Sequence, residues 1–161
     1  MERSVKQLSK EVDKIDLADI CSAWQWLIED AKSVILVSSI GDMFLLWKDN
    51  CIYWLQADSG LLTKVANSTS EFEELLSDED KVDEWFLPLL VEKLINAGKI
   101  LKDSEVYSCK VMAILGGEFS VENIDPVNIS VHFAFTGQIC EQIRNLPDGT
   151  KVNIRFKPNG V

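Results

Sequence analysis

Apolar and polar positions change period several times along the chain, and each change marks an element. In "LADICSAWQWLIEDAK" (17–32), Leu17, Ile20, Trp24, Leu27 and Ile28 recur at helical spacing, and Asp16 stands where an N-cap belongs. This predicts a helix over 17–32, with Trp24 and Trp26 pointing in different directions. "SVILVSSI" (33–40) loses the helix period and is rich in β-branched residues, which predicts a strand. "MFLLWK", "CIYWLQA" and "LLTKVA" then read as an antiparallel meander. A two-residue turn at Asp49-Asn50 would set Trp47 opposite Ile52 and Leu45 opposite Trp54. Met43, Leu45, Trp47, Ile52 and Trp54 would share one face, and Phe44, Leu46, Tyr53 and Leu55 the other. Both faces are apolar, so the sheet is expected to be covered on both sides. Gly60 suits the left-handed position of a three-residue loop before the third strand.

The second half turns helical. Ser68 precedes Glu71 by three residues and Ser70 precedes Glu73 by three, the spacing of a capping box, so a helix opens here. A further helix from about Val82 to Ala97 is expected to bury Trp85, Leu89, Leu90 and Leu94. Pro88 must kink or restart it, and Gly98 caps its end. Val131, Phe135, Ile139, Ile143 and Leu146 follow helix periodicity, "LPDG" ends that helix, and "KVNIRF" reads as a terminal strand. A helix, then a meander, then helices with late strands make an α+β fold: an antiparallel β-meander packed with several α-helices in a single domain.

Charge is more informative than composition. The net charge of −10 argues against direct nucleic-acid binding, which needs a basic field. The excess is local: Glu71, Glu73, Glu74, Asp78, Glu79, Asp80, Asp83 and Glu84 face one base, Lys81, giving −7 within the stretch. Caps and helix dipoles explain part of it. The remainder forms a candidate partner-binding surface of Glu71, Glu74, Asp78, Glu79, Asp80, Asp83 and Glu84, suited to a basic protein. A nuclease domain is one such partner, because it must itself bind phosphate. Cys21, Cys51, Cys109 and Cys140 match no metal or redox spacing and read as buried thiols of a reducing compartment. No apolar run is long enough to span a bilayer, and no secretion signal precedes the fold, so the cytoplasm is the expected location.

The segment "LGGEFSVENI" (115–124) is the one place where chemistry could be expected. A phosphate loop usually adds a lysine or serine to its glycines; Ser120 is available, but no lysine follows Gly116-Gly117, and Glu118, Glu122 and Asp125 make a repulsive field for phosphate. A tight turn with close backbone approach is the better reading. Glu118 and Glu122 would act as acid and base only if their environments separated their pKa values. His132, the single histidine, lies among Val131, Phe133 and Phe135 and reads as a hydrogen-bonded core residue. No nucleophile elbow or metal-loop motif is present, so no catalytic residue, metal or cofactor is assigned.

Four blocks together carry a resemblance: "GDMFLLWKDNCIYWL" (41–55), "VANSTSEFEELL" (65–76), "YSCKVMAILGGEFSVENI" (107–124) and "HFAFTGQICEQIRNLPDGTKV" (132–152). In order and spacing the chain resembles the C-terminal domain family of bacterial type VI secretion immunity proteins, from about Gly41 to Val152. The resemblance implies a small α+β domain of the producing cell's cytoplasm. Such a domain binds a cognate toxin, a DNase in known members, and blocks it without catalysis. It also makes Gly116, Gly117, Glu122 and Asn123 a structural signature. The implied division is residues 1–40, a helical extension with the first strand, and 41–161, the immunity-protein-like domain. Members often carry a further domain upstream, where this sequence has forty residues before Gly41, a difference that bears on the partner more than on the fold. A cytosolic scaffold domain with no toxin partner is the alternative. The sequence assigns no oligomeric state.

Overall fold

In the computed structural model, which describes residues 3–156, five antiparallel strands run in the order β1-β2-β3-β4-β5. They are β1 (Ser9–Lys10), β2 (Ala31–Ser38), β3 (Met43–Trp47), β4 (Ile52–Gln56) and β5 (Leu61–Ala66). The helices are α1 (Leu17–Ser22), α2 (Gln25–Ile28), α3 (Thr69–Leu75), α4 (Glu79–Phe86), α5 (Pro88–Asn96) and α6 (Ile129–Ile143). A separate antiparallel pair, β6 (Glu105–Cys109) and β7 (Ile124–Asn128), lies beside the main sheet. The expected α+β class is what the chain adopts. No helix among the described residues is long and apolar enough to cross a membrane.

The β3–β4 hairpin corrects the expected register by one residue. Leu46 pairs with Ile52, Leu45 with Tyr53 and Phe44 with Trp54. The loop has three residues, Lys48-Asp49-Asn50, because Asn50 takes a left-handed φ of 66° and Trp47 N–H bonds the Cys51 carbonyl. A one-residue slip exchanges the faces of the partner strand. Met43, Leu45 and Leu55 therefore belong to one core, with Trp47 packed against it. Phe44, Ile52 and Trp54 belong to the other. The sheet is buried on both sides, as expected. The next loop is likewise one residue longer than expected, since Gln56 pairs with Leu61, and Gly60 has φ 72°.

The first core joins β2, β3 and β4 to α1, α2 and α6 through Ile20, Trp24, Ile28 and Phe133. Asp16 caps α1 by accepting the Asp19 N–H at 3.1 Å. The helix expected over 17–32 is broken at Ala23–Trp24, and its last two residues start β2. Tertiary packing explains the break: a Cβ at Gly137 of α6 would stand 2.6 Å from the Ala23 carbonyl, so α6 docks on that corner. The buried stripe of α6 is Ile129, His132, Phe133, Thr136, Gly137, Ile139 and Cys140. Val131, expected inside, is 55% exposed.

The second core is aromatic. Phe44 meets Phe72, Trp85 and Phe86 at centroid distances of 5.1, 5.3 and 5.8 Å. Ser68 caps α3 by accepting the Glu71 N–H, while the Glu71 carboxylate accepts the Asn67 N–H. The following helix starts at Glu79 and restarts at Pro88, which takes the N1 position after Leu87 at φ 48°. Leu94 is buried, but Leu89 is 74% exposed against expectation. Residues 151–156 form no strand. They are held instead by Gln142 of α6, whose side chain bonds both the N–H and the carbonyl of Arg155, and by Phe156 stacked on Phe135.

Candidate functional site

The double-glycine segment is a backbone device. Ala113–Leu115 make one 3-10 turn, and Gly116 ends it at φ 94°. A Cβ on Gly117 would fall 1.8 Å from the Val111 carbonyl oxygen, so only glycine lets the chain cross there. Asn123 then staples the loop: its Oδ1 accepts the Val111 N–H, and its Nδ2 donates to the carbonyls of Val111 and Glu118. Glu118 and Glu122 lie on the exposed side.

His132 does not join them. It is buried and held between two elements. Its Nε2–H donates to the Gly41 carbonyl at 2.8 Å, which leaves Nδ1 to accept the Ser108 hydroxyl at 2.7 Å. Burial lowers its pKa to about 4, so the ring is neutral and committed at both nitrogens. A serine and a histidine in contact suggest nucleophilic catalysis, but here the hydrogen bonds knit α6 to β6 and to the β2–β3 turn.

The same turn holds a buried carboxyl that sequence reasoning missed. Asp42 accepts the Ala57 N–H at 3.0 Å and the Trp54 Nε1–H at 3.2 Å. Burial pushes its pKa up to about 8; nearby Asp58 adds to that rise and the two donors oppose it. Asp58 is pushed up to about 6 by burial, and one of its carboxyl oxygens has no hydrogen-bond partner. The signal in sequence was slight: two aspartates at strand ends, flanked by apolar runs, look like ordinary turn residues. Among the described residues no group of three His, Cys, Asp or Glu is placed to hold a metal ion.

The acidic stretch divides once its side chains have places. Glu71 serves the α3 cap, Asp78 caps α4 by accepting the Asp80 N–H, and Glu84 pairs with Lys81 at 3.3 Å. Glu74, Glu79, Asp80 and Asp83 are exposed and have no salt-bridge partner among the described residues. Glu79 and Asp83, four apart on α4, share one side of the helix. They flank a cleft of about 510 Å³ that α4 and α5 form with the N-terminal residues.

Residues 66–140 match the family model described as T6SS immunity protein Tdi1, C-terminal. The resemblance is thereby shown over the span from the end of β5 into α6. That span contains the acidic stretch, the double-glycine loop and His132, whereas the block at 41–55 lies outside it. Among solved structures, the chain is similar to "Crystal structure of Atu4351 from Agrobacterium tumefaciens", at 17% identity and a TM-score of 0.56. The alignment covers 77% of this chain and 65% of that one, so this protein spans about two thirds of that chain's length. At this identity the likeness concerns the fold. No curated protein matches the chain.

Proposed function

We propose that the protein is a non-enzymatic immunity protein that binds and neutralises a cognate type VI secretion toxin in the producing cell's cytoplasm. The observation that carries this reading is the match to the T6SS immunity family over residues 66–140, which encloses the acidic helices. A nuclease is the toxin class that fits best. An enzyme that binds a polyanion has a basic active face, and Glu74, Glu79, Asp80 and Asp83 offer unpaired negative charge to it. Neutralisation by binding needs no acid–base pair, and the neutral, doubly bonded His132 fits a structural role.

Co-expression with the product of the neighbouring gene tests this. The expected result is rescue of growth together with co-purification of a stoichiometric complex. Rescue should survive Glu118→Gln with Glu122→Gln. Loss of rescue in that double variant, with its fold intact, would point to catalysis; absence of rescue by the wild-type chain would overturn the immunity reading.

A further inference from the structure

We infer that the cleft between α4, α5 and the N-terminal segment is the docking groove for a basic amphipathic segment of the partner, with Leu89 as the apolar contact. This rests on the immunity reading for the partner's identity, but the groove's chemistry stands on its own geometry.

Three observations meet at this place. The first is Leu89, a large apolar side chain left 74% exposed in a helix whose Val91 and Leu94 are buried. Single exposed leucines are common, but this one borders a concavity of about 510 Å³, whose apolar wall continues through Val5, Leu76 and Val82. The second is charge. Glu79 and Asp83 line the cleft from α4 and Glu92 lines it from α5, against Arg3 from the N-terminal segment. Glu92 lies three residues after Leu89, on the same side of α5. An occupant therefore needs an apolar strip to cover Leu89 and cations to meet the acids. A lysine- or arginine-bearing helix with one apolar face satisfies both.

The third is backbone. Leu87 joins α4 to α5 at φ 48°, a conformation costly for a branched residue and one that glycine would adopt freely. Its side chain packs against the second core, which holds the joint in that geometry. The left-handed joint lets α5 restart at Pro88, and Leu89 and Glu92 of that helix line the cleft. The N-terminal 3-10 turn Val5–Leu8, anchored by fully buried Leu8, closes the remaining side. A groove already formed without its occupant costs little ordering on binding.

The test uses the full chain and a short helical peptide with lysines on one face and leucines on the other. A peptide carrying glutamates in place of the lysines is the control. Backbone amide shifts should move at Leu76, Val82, Asp83 and Leu89 with the lysine peptide, and not with the glutamate peptide. Leu89→Ser, at an exposed position, should weaken binding about tenfold while leaving thermal stability unchanged. Glu79→Lys with Asp83→Lys should also weaken it about tenfold at low salt, an effect that shrinks at high salt. Shifts confined to another surface, unchanged affinity in both variants, equal binding of the two peptides or no binding would overturn the groove.

The toxin assay separates this inference from the function it deepens. Wild-type rescue with loss in the groove variants supports both. Equal rescue by wild type and groove variants overturns the groove as the toxin's docking site and leaves immunity standing. No rescue by wild type, with peptide binding intact, overturns immunity and leaves a groove for basic segments.

Discussion

His132 Nε2 and the Gly41 carbonyl oxygen lie 2.8 Å apart, joining the middle of α6 to the turn between β2 and β3. The approach is close enough that a Cβ on Gly41 would stand 2.3 Å from that nitrogen, and Gly41 has φ 81°. The partners are 91 positions apart in sequence. This bond thus requires a glycine at position 41, and the one that Nδ1 accepts from the Ser108 hydroxyl requires a neutral imidazole.

Gly41→Ala is expected to destabilise the fold by about 2–4 kcal/mol, from left-handed strain together with displacement of the imidazole. Urea unfolding followed by tryptophan fluorescence measures it. A midpoint equal to that of the wild type would mean that the histidine has slack to withdraw.

The buried groups around this turn make stability depend on pH in opposed ways. His132 has its pKa lowered from 6.5 to about 4, so its contribution is present above pH 6.5 and is lost as pH falls through 4. Asp42 has its pKa raised from 3.8 to about 8, so its contribution is complete below 3.8 and is lost as pH rises through 8. The two slopes oppose each other between pH 4 and 6.5, whereas above 6.5 Asp42 continues after His132 has levelled. Unfolding free energy should therefore fall between pH 6.5 and 8, by at most about 1.4 kcal/mol per pH unit. Asp42→Asn should flatten that limb. A slope that persists in the variant would assign it elsewhere.

Asn123 and Glu122 are neighbours with unequal expected effects. Asn123→Ala removes three hydrogen bonds that close the double-glycine loop, and should cost about 1–3 kcal/mol and speed amide exchange at Val111. Glu122→Gln should change neither, because the side chain is exposed. Similar exchange rates at Val111 in the two variants would contradict the staple.

Asn50 sets the hairpin register through its left-handed φ of 66°. Asn50→Gly should be tolerated to within about 0.5 kcal/mol, since glycine adopts that conformation freely. Asn50→Val should cost about 1–3 kcal/mol, because a β-branched residue pays for positive φ. Denaturant midpoints of the two variants, ranked in the reverse order, would refute the turn geometry.

Local patterns were legible wherever neighbours in sequence decide the outcome. The Asp16 and Ser68 caps, the restart at Pro88 and the turn at Gly98 all depend on short-range chemistry, and the apolar neighbours of His132 already marked it as a core residue. The double-glycine turn is short-range too, and its segment already lacked the lysine of a phosphate loop. The misreadings share a cause. The β3–β4 register slipped because a two-residue and a three-residue loop fit the same sequence, and Asn50's conformation chooses between them. The face of α6 was misjudged because Gly137 and His132, the residues that meet other elements, carry little apolar signal. Likewise the acidic stretch read as one surface, although caps and an ion pair engage Glu71, Asp78 and Glu84.

The α+β class, the two-sided burial of the meander, the helix caps and the local concentration of negative charge are all readable from the residues alone. Each of these follows from residue spacing and from interactions within a few positions. Which acids remain unpaired, that Leu89 borders a groove, and that Gly41, Ser108 and His132 meet are settled by the folded arrangement. Those facts depend on contacts between distant segments, and such contacts arise only once both cores have closed around the sheet.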